Sequence, residues 1–292
     1  MATITPLFGS SAGSAFDPLA FDLTRSKKAS ARLLRRGDVL NHDTFSGGSF
    51  NGWRDHFAYA TPRGVLGLTQ YPLIDGDHAL MLSTGEGPYS ADSVWNSHGT
   101  YRNMSVLNND WDLISVSGFI MLAGDGDLTA KKYPWGTVEI GLDTQWPGST
   151  QRSFFKAYLK DGIGGTAGST GWMLRRSDGS DVMVAGSADV FTGGNERKWN
   201  WMYVRLTISR FANGGKGGYV ELQVNDTIFD LQAQFGTILA EDLILNNGSH
   251  DQFRYGLNEM FATTRSPFNT DYRYNAMVVQ HPITTVNDRR AA

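Results

Sequence analysis

Thr137-Val138-Glu139-Ile140-Gly141-Leu142-Asp143 alternates without a break: Val138, Ile140 and Leu142 fall on one side, Glu139 and Asp143 on the other. An extended chain turns successive side chains to opposite faces, so a strict period of two marks a strand with one oily and one wet face. Strands of that kind belong to antiparallel sheets with a core on one side. Met202 to Ser209 repeats the pattern with Val204, Leu206 and Ile208 inward, and Tyr219 to Asn225 with Val220, Leu222 and Val224 inward. Further strands are expected at 65–70, 79–83, 113–122, 153–159, 171–175, 252–257 and 275–280.

Turn chemistry separates these runs. Asp75-Gly76, Gly124-Asp125-Gly126-Asp127, Asp161-Gly162, Ser177-Asp178-Gly179 and Asn213-Gly214-Gly215 favour tight reversals or positive φ. The glycines between Ser209 and Tyr219 read as a hairpin loop joining two alternating strands. Long amphipathic helices are missing from the pattern, apart from a helix-compatible stretch near residue 30 and a short turn near Ala240. Many short strands without crossover helices imply an all-β fold, a two-sheet antiparallel β-sandwich. Residues 1–37 stand apart: Met1 to Ala20 is rich in Ser, Gly, Ala and Pro, and Arg25, Lys27, Lys28, Arg32, Arg35 and Arg36 follow. They read as an irregular N-terminal extension, through which the chain could oligomerise, ahead of one sandwich domain at 38–292.

Composition narrows the partners. Charged residues make up 19% of the 292 residues and the formal net charge is -3, so no field is built to attract nucleic acid or an anionic membrane. The absence of cysteine excludes disulfides, thiolate metal sites and cysteine nucleophiles. Met1 to Ala20 lacks a basic start followed by an apolar run, so a cytoplasmic protein, or one released without a conventional signal peptide, is expected.

Three stretches resemble the concanavalin A-like lectin/glucanase superfamily. Asp43-Thr44-Phe45-Ser46-Gly47 followed by Gly52-Trp53-Arg54 resembles its opening strand, where an acidic-aromatic pair leads into a tryptophan. Trp199 to Asp230 resembles its strand–hairpin–strand, and Asn275-Ala276-Met277-Val278-Val279-Gln280 its closing strand. The resemblance implies a jelly roll with a glycan bound across the concave sheet. Because the superfamily mixes lectins, hydrolases, lyases and structural modules, it implies no one activity.

Two strands carry groups suited to chemistry. Glu139-Ile140-Gly141-Leu142-Asp143 resembles the catalytic strand of family 16 glycoside hydrolases, with glycine in place of the middle acid. Glu139 and Asp143 are therefore candidates for a carboxylate pair that protonates the leaving oxygen and attacks or activates water. Ser153-Phe154-Phe155-Lys156-Ala157-Tyr158-Leu159 resembles the Phe-Lys-Ala strand of jelly-roll alginate lyases. There a cation neutralises the uronate carboxylate and a Tyr–His pair moves the proton, which makes Lys156 and Tyr158 the candidates here. That family's Tyr and Gln beyond the strand are replaced by Lys160-Asp161-Gly162, so hydrolysis is expected ahead of elimination.

The eight tryptophans suggest a sugar-stacking surface. Trp135, beside Pro134, and Trp146, before Pro147, read as loop positions, and a loop at 95–102 groups Trp95, His98, Tyr101 and Arg102 as ligand-binding candidates. Trp53-Arg54-Asp55-His56 is a lesser group of the same kind. No two of the six histidines stand at a spacing such as H-x-x-x-H, so no zinc site is expected. No cofactor is required, although Asp125 and Asp127 offer alternate carboxylates for a structural Ca²⁺. The leading expectation is thus a carbohydrate-binding or carbohydrate-active protein whose partner is an oligo- or polysaccharide. The alternative is a non-catalytic structural or adhesive module of a virion, tail or surface assembly.

Overall fold

The alternating runs become strands of two antiparallel sheets. The computed structural model describes residues 38–58, 65–71, 73–83, 96–104, 110–124, 137–146, 152–160, 171–176, 180–187, 201–239, 257–265 and 275–288. Among these residues one sheet has eight strands and the other seven. From one edge these run β13 (Thr227–Asp230), β12 (Gly218–Val224), β11 (Trp201–Ser209), β6 (Trp111–Gly124), β15 (Asn275–Asp288), β4 (Ala79–Ser83) and β3 (Val65–Thr69). The eighth, β1 (Asp38–His42), also pairs with β15. The second sheet has seven: β10 (Asp181–Met183), β9 (Gly171–Arg175), β8 (Arg152–Lys160), β7 (Thr137–Gln145), β14 (Leu257–Arg265), β5 (Asn96–Met104) and β2 (Arg54–Ala58). The result is an all-β jelly-roll sandwich.

The core lies between the sheets. Val138, Ile140 and Leu142 of β7 and Phe155, Ala157 and Leu159 of β8 meet Ile114, Val116 and Ile120 of β6 and Val204, Leu206 and Ile208 of β11. All are buried, as the period of two requires. Each of these side chains except Ala157, moved out of water, contributes roughly 1.5–3 kcal/mol, and together they fix which face of each strand points outward.

Two expectations need correcting. Val220 does not join Leu222 and Val224 on the inner face. A bulge opposite Thr207 and Ile208 pairs Ile208 with Tyr219 instead, so Tyr219 is the fully buried residue and Val220 only half-buried. An extra residue on one strand of an antiparallel pair shifts all alternation beyond it. The stretch from Asn96 is a strand and not a loop: β5 pairs with β14 on one side and β2 on the other, so backbone hydrogen bonds organise a run of polar residues. The short turn expected near Ala240 falls at the edge of the described residues, which end at Leu239 here; before it Leu231–Phe235 form helix α1, whose N-terminus is capped by the Asp230 carboxylate accepting from Ala233 N. The strand expected at 252–257 overlaps the described residues only at Leu257, where β14 begins. Residues 1–37 lie outside the described residues. No helix among the described residues is long and apolar enough to cross a membrane.

β15 changes partners along its length: Ala276–Val279 pair with β4, and Ile283–Val286 run beside β1. At the change-over His281 has φ 49, a left-handed conformation that a non-glycine residue adopts only at a cost.

Candidate functional site on the outer face of the seven-stranded sheet

The residues of β7 and β8 that avoid the core all point outward from the seven-stranded sheet. Cross-strand register sets them in rows. Tyr101 of β5 stands opposite Met260 of β14, Met260 opposite Gly141 of β7, and Gly141 opposite Lys156 of β8. In the next row Glu139 lies between Ala262 and Tyr158, and Tyr158 is followed by Met173 of β9. Tyr101, Met260 and Phe154 pack into a small apolar cluster on this face, with Tyr101 and Met260 buried and Phe154 half-buried.

Beside that cluster lies a charged pair. Lys156 Nζ is 3.6 Å from Glu139 Oε2, and both side chains are about one-fifth exposed, at 20% and 21%. The same ammonium lies 5.9 Å from the Phe154 ring centre and 5.7 Å from that of Tyr158, so aromatic faces flank it on both sides. Further along, Arg175 Nε meets Asp181 Oδ1 at 3.2 Å. Burial, reinforced by the Asp181 carboxylate, pushes the Tyr158 phenol above its ordinary range. Tyr158 is therefore held as a neutral phenol, a hydrogen-bond donor before it is a base.

Asp143 is differently placed. It is 2% exposed, and Arg152 Nη1 donates to its Oδ2 at 2.9 Å. Burial raises its pKa to about 7, with Arg152 opposing the rise. The two acids of β7 share a face, but Glu139 is engaged with Lys156 and Asp143 with Arg152.

Gly141 explains why no acid stands between them. A Cβ there would lie 2.9 Å from the Phe155 carbonyl oxygen and 3.3 Å from the Phe154 ring, a place that ring already fills. Gly141→Asp is therefore expected to cost about 1–3 kcal/mol of stability by overpacking, read from urea unfolding. An unchanged midpoint would show that Phe154 swings aside freely.

The fold is similar to that of an endo-β-1,4-glucuronan lyase from the fungus Trichoderma reesei, at 9% identity and a TM-score of 0.48, over 87% of this chain and 100% of that one. A cellulose-induced protein matches at 12% identity and a TM-score of 0.46, over 84% and 96%. A xylan-binding domain from Paenibacillus barcinonensis matches at 14% identity and a TM-score of 0.33, over 88% and 97%. No protein-family model and no curated protein matches the chain.

The remaining candidates scatter. Tyr101 faces outward in the apolar cluster, whereas its neighbour Arg102 turns the other way and meets Asp43 Oδ2 at 3.3 Å. The backbone of His98 pairs with Thr263 in β14. Trp146 is half-buried: its Nε1 donates to Ser153 Oγ at 2.7 Å, and Lys216 lies over its ring at 5.7 Å. Trp95, Trp135, Asp125 and Asp127 lie outside the described residues. Among the described residues no three metal-ligating side chains gather.

Alternation could not have found one residue that positions this face. The bulge that turns Tyr219 inward brings its hydroxyl to the backbone of Lys156, accepting from the amide at 3.0 Å and donating to the carbonyl at 3.1 Å. Its ring meets Phe155 edge-on at 5.2 Å. A side chain from one sheet thus holds the strand that presents Lys156 on the other.

Proposed function

We propose that the protein binds an oligo- or polysaccharide across the outer face of the seven-stranded sheet. The observation that supports this most is the juxtaposition of Tyr101, Met260 and Phe154 with the Lys156–Glu139 pair. Tyr101 and Met260 keep only 5% and 9% of their surface open, so the half-buried Phe154 ring is the apolar surface offered to the C–H face of a pyranose ring, and the neighbouring carboxylate and ammonium suit its hydroxyls. Lys156, between two rings, also suits the carboxylate of an acidic sugar.

Binding without cleavage is the reading that the geometry favours over hydrolysis. A two-carboxylate mechanism needs a second acid free to act, and Asp143 is buried against Arg152. Elimination by Tyr158 would need a phenol that gives up its proton readily, which burial opposes.

The test is calorimetric titration of neutral and uronate-containing oligosaccharides into the full chain. Lys156→Ala is expected to weaken binding roughly tenfold, the effect of losing one charge-assisted hydrogen bond, with the larger loss on uronates. Absence of binding to every sugar, or an unchanged affinity in Lys156→Ala, would remove the proposal. Incubation with the same sugars separates the enzymatic readings. New reducing ends would return hydrolysis to favour, and absorbance near about 235 nm would mark elimination next to a carbonyl.

A further inference from the structure

We propose that the hydrogen bond between His42 and His281 is a proton-operated latch on β1. The two rings hold β1 against β15 while they share no more than one added proton, and a second proton drives them apart. The two histidines are 239 positions apart in sequence, yet the pairing of β1 with β15 brings His42 Nε2 to 3.1 Å from His281 Nδ1. On the far side of the His281 ring, Nε2 lies 2.5 Å from Asp75 Oδ1. A carboxylate only accepts, so neutral His281 carries its proton on Nε2 and offers Nδ1 as acceptor to His42 Nε2–H. The rings meet head-on, and the two bonds form one line from β1 through β15 to the β3–β4 connection.

Protons meet this line in two unlike steps. The first enters at His42 Nδ1, and the proton on His42 Nε2 passes along the hydrogen bond to His281 Nδ1. His281 is then an imidazolium donating both ways, to His42 Nε2 and to the Asp75 carboxylate, so both contacts survive. The second proton has only His42 Nε2 to bind. Two N–H groups then face each other across 3.1 Å with no lone pair between them, both rings are charged, and the contact is lost. Among the described residues, the charged and titratable groups that face His42 are His281 from β15, Asp75 from the β3–β4 connection and its own neighbour Asp43. Burial and the His281 charge hold the His42 pKa below 6.5, against the pull of Asp43 and Asp75. The latch is therefore fully present above 6.5, where His42 is neutral in the unfolded chain as well, and is lost as pH falls through the lowered folded value.

β1 is the part that gives way. His281 stands left-handed at the break in β15, and Phe119 meets its ring edge-on at 6.3 Å. Gln280, 1% exposed, clamps the loop that carries Asp75: its Oε1 accepts from Ile74 N at 2.6 Å and its Nε2 donates to Asp75 O at 2.6 Å. β1, by contrast, has five residues and, among the described strands, only β15 as a partner. Its ladder shifts register between Val39 and Asn41, and His42 is exposed. Asn41 donates to Glu259 Oε1 at 2.7 Å, a bond that a protonated Glu259 still accepts. Beyond His42 the chain is anchored again, where Asp43 N donates to Pro282 O at 3.1 Å and the Asp43 carboxylate is buried. Acid therefore loosens Asp38–His42 and bares the edge of β15 from Ile283 to Val286. That strand is also the one through which residues 1–37 join the sandwich.

Hydrogen exchange of the full chain from about pH 7.5 to about pH 5, read by mass spectrometry and corrected for intrinsic exchange rates, tests the latch. β4 pairs with another part of the same strand, so residues 79–83 report any change in global stability. Relative to them, the protection of residues 38–42 should fall roughly threefold to tenfold on acidification, the worth of one hydrogen bond. A glutamine at position 42 can donate to His281 or, turned over, accept from it, and it takes no second proton. His42→Gln should therefore keep the ratio constant over the whole range. A constant ratio in the parent, or the same fall in His42→Gln, overturns the latch. Ring ¹⁵N shifts of the parent should show the two imidazoles taking their protons in two coupled steps, and independent titration of the rings overturns it as well.

Discussion

Asp43→Ala is expected to cost about 3–5 kcal/mol of folding stability, the loss typical of removing one partner from a buried charged pair. Asp43 is 3% exposed and both its oxygens are committed. Oδ1 accepts from Phe45 N at 2.8 Å and from Asn51 Nδ2 at 2.8 Å. Oδ2 accepts from Trp53 Nε1 at 3.2 Å and from Arg102 Nη1 at 3.3 Å. Without the carboxylate, a buried indole N–H and a guanidinium lose their acceptor. Phe45, at φ 54, also loses the bond that holds its backbone left-handed, and its ring and that of Trp53 are core residues. Asp43→Asn keeps the shape and one carbonyl oxygen, so it should lose less than half as much. Urea unfolding of the three chains at one pH checks this, and a loss below about 1 kcal/mol for alanine would show that the network carries no stability.

Stability is expected to fall as pH rises from about 4.5 to about 7, by on the order of 3 kcal/mol from Glu259 alone. Glu259 lies between the sheets with no exposure. Burial raises its pKa to about 7, opposed by the Thr284 hydroxyl, the Arg102 cation and the Asn41 amide, while the Asp43 charge adds to the rise. Below the unfolded value both states hold the proton and the group costs nothing. Above it the unfolded chain ionises while the folded one does not, so each step upward in pH favours unfolding until the folded carboxyl ionises too. Asp143 titrates in the same direction. Glu259→Gln separates the two: a glutamine can still accept from Asn41 and donate to Thr284, so the slope between pH 5 and 7 should flatten by about one proton. Parallel pH profiles for parent and variant would exclude Glu259 as the source.

The parts of this fold that could be read in advance are those where burial on one face writes a period of two. β7, β8 and β11 each carry three inward aliphatic or aromatic residues in strict alternation, and the sandwich follows from them. β5 hid because Asn96-Ser97-His98-Gly99-Thr100 offers no such period, and its backbone pairing alone makes it a strand. Val220 misled because a bulge leaves no mark in hydrophobicity. Within the candidate site, the shared face of Glu139 and Lys156 was legible from parity. The capture of Asp143 by Arg152 was not, since two residues nine apart meet only after the β7–β8 register is known. The acidic-aromatic opening at Asp43 was visible as a pattern, but its cause, one carboxylate serving four donors, needed coordinates. The contact between His42 and His281 lay beyond any spacing rule, because the two sit on the first and last described strands.

That β15 stands between β6 and β4, and also carries β1, has a consequence for biosynthesis. The middle of the larger sheet is supplied by the last of its described strands in chain order. Until residues 275–288 emerge, β6 and β4 present unsatisfied edges with no neighbour, and such edges invite pairing with other chains. The sandwich therefore closes through contacts distant in sequence, a topology for which slow folding is expected.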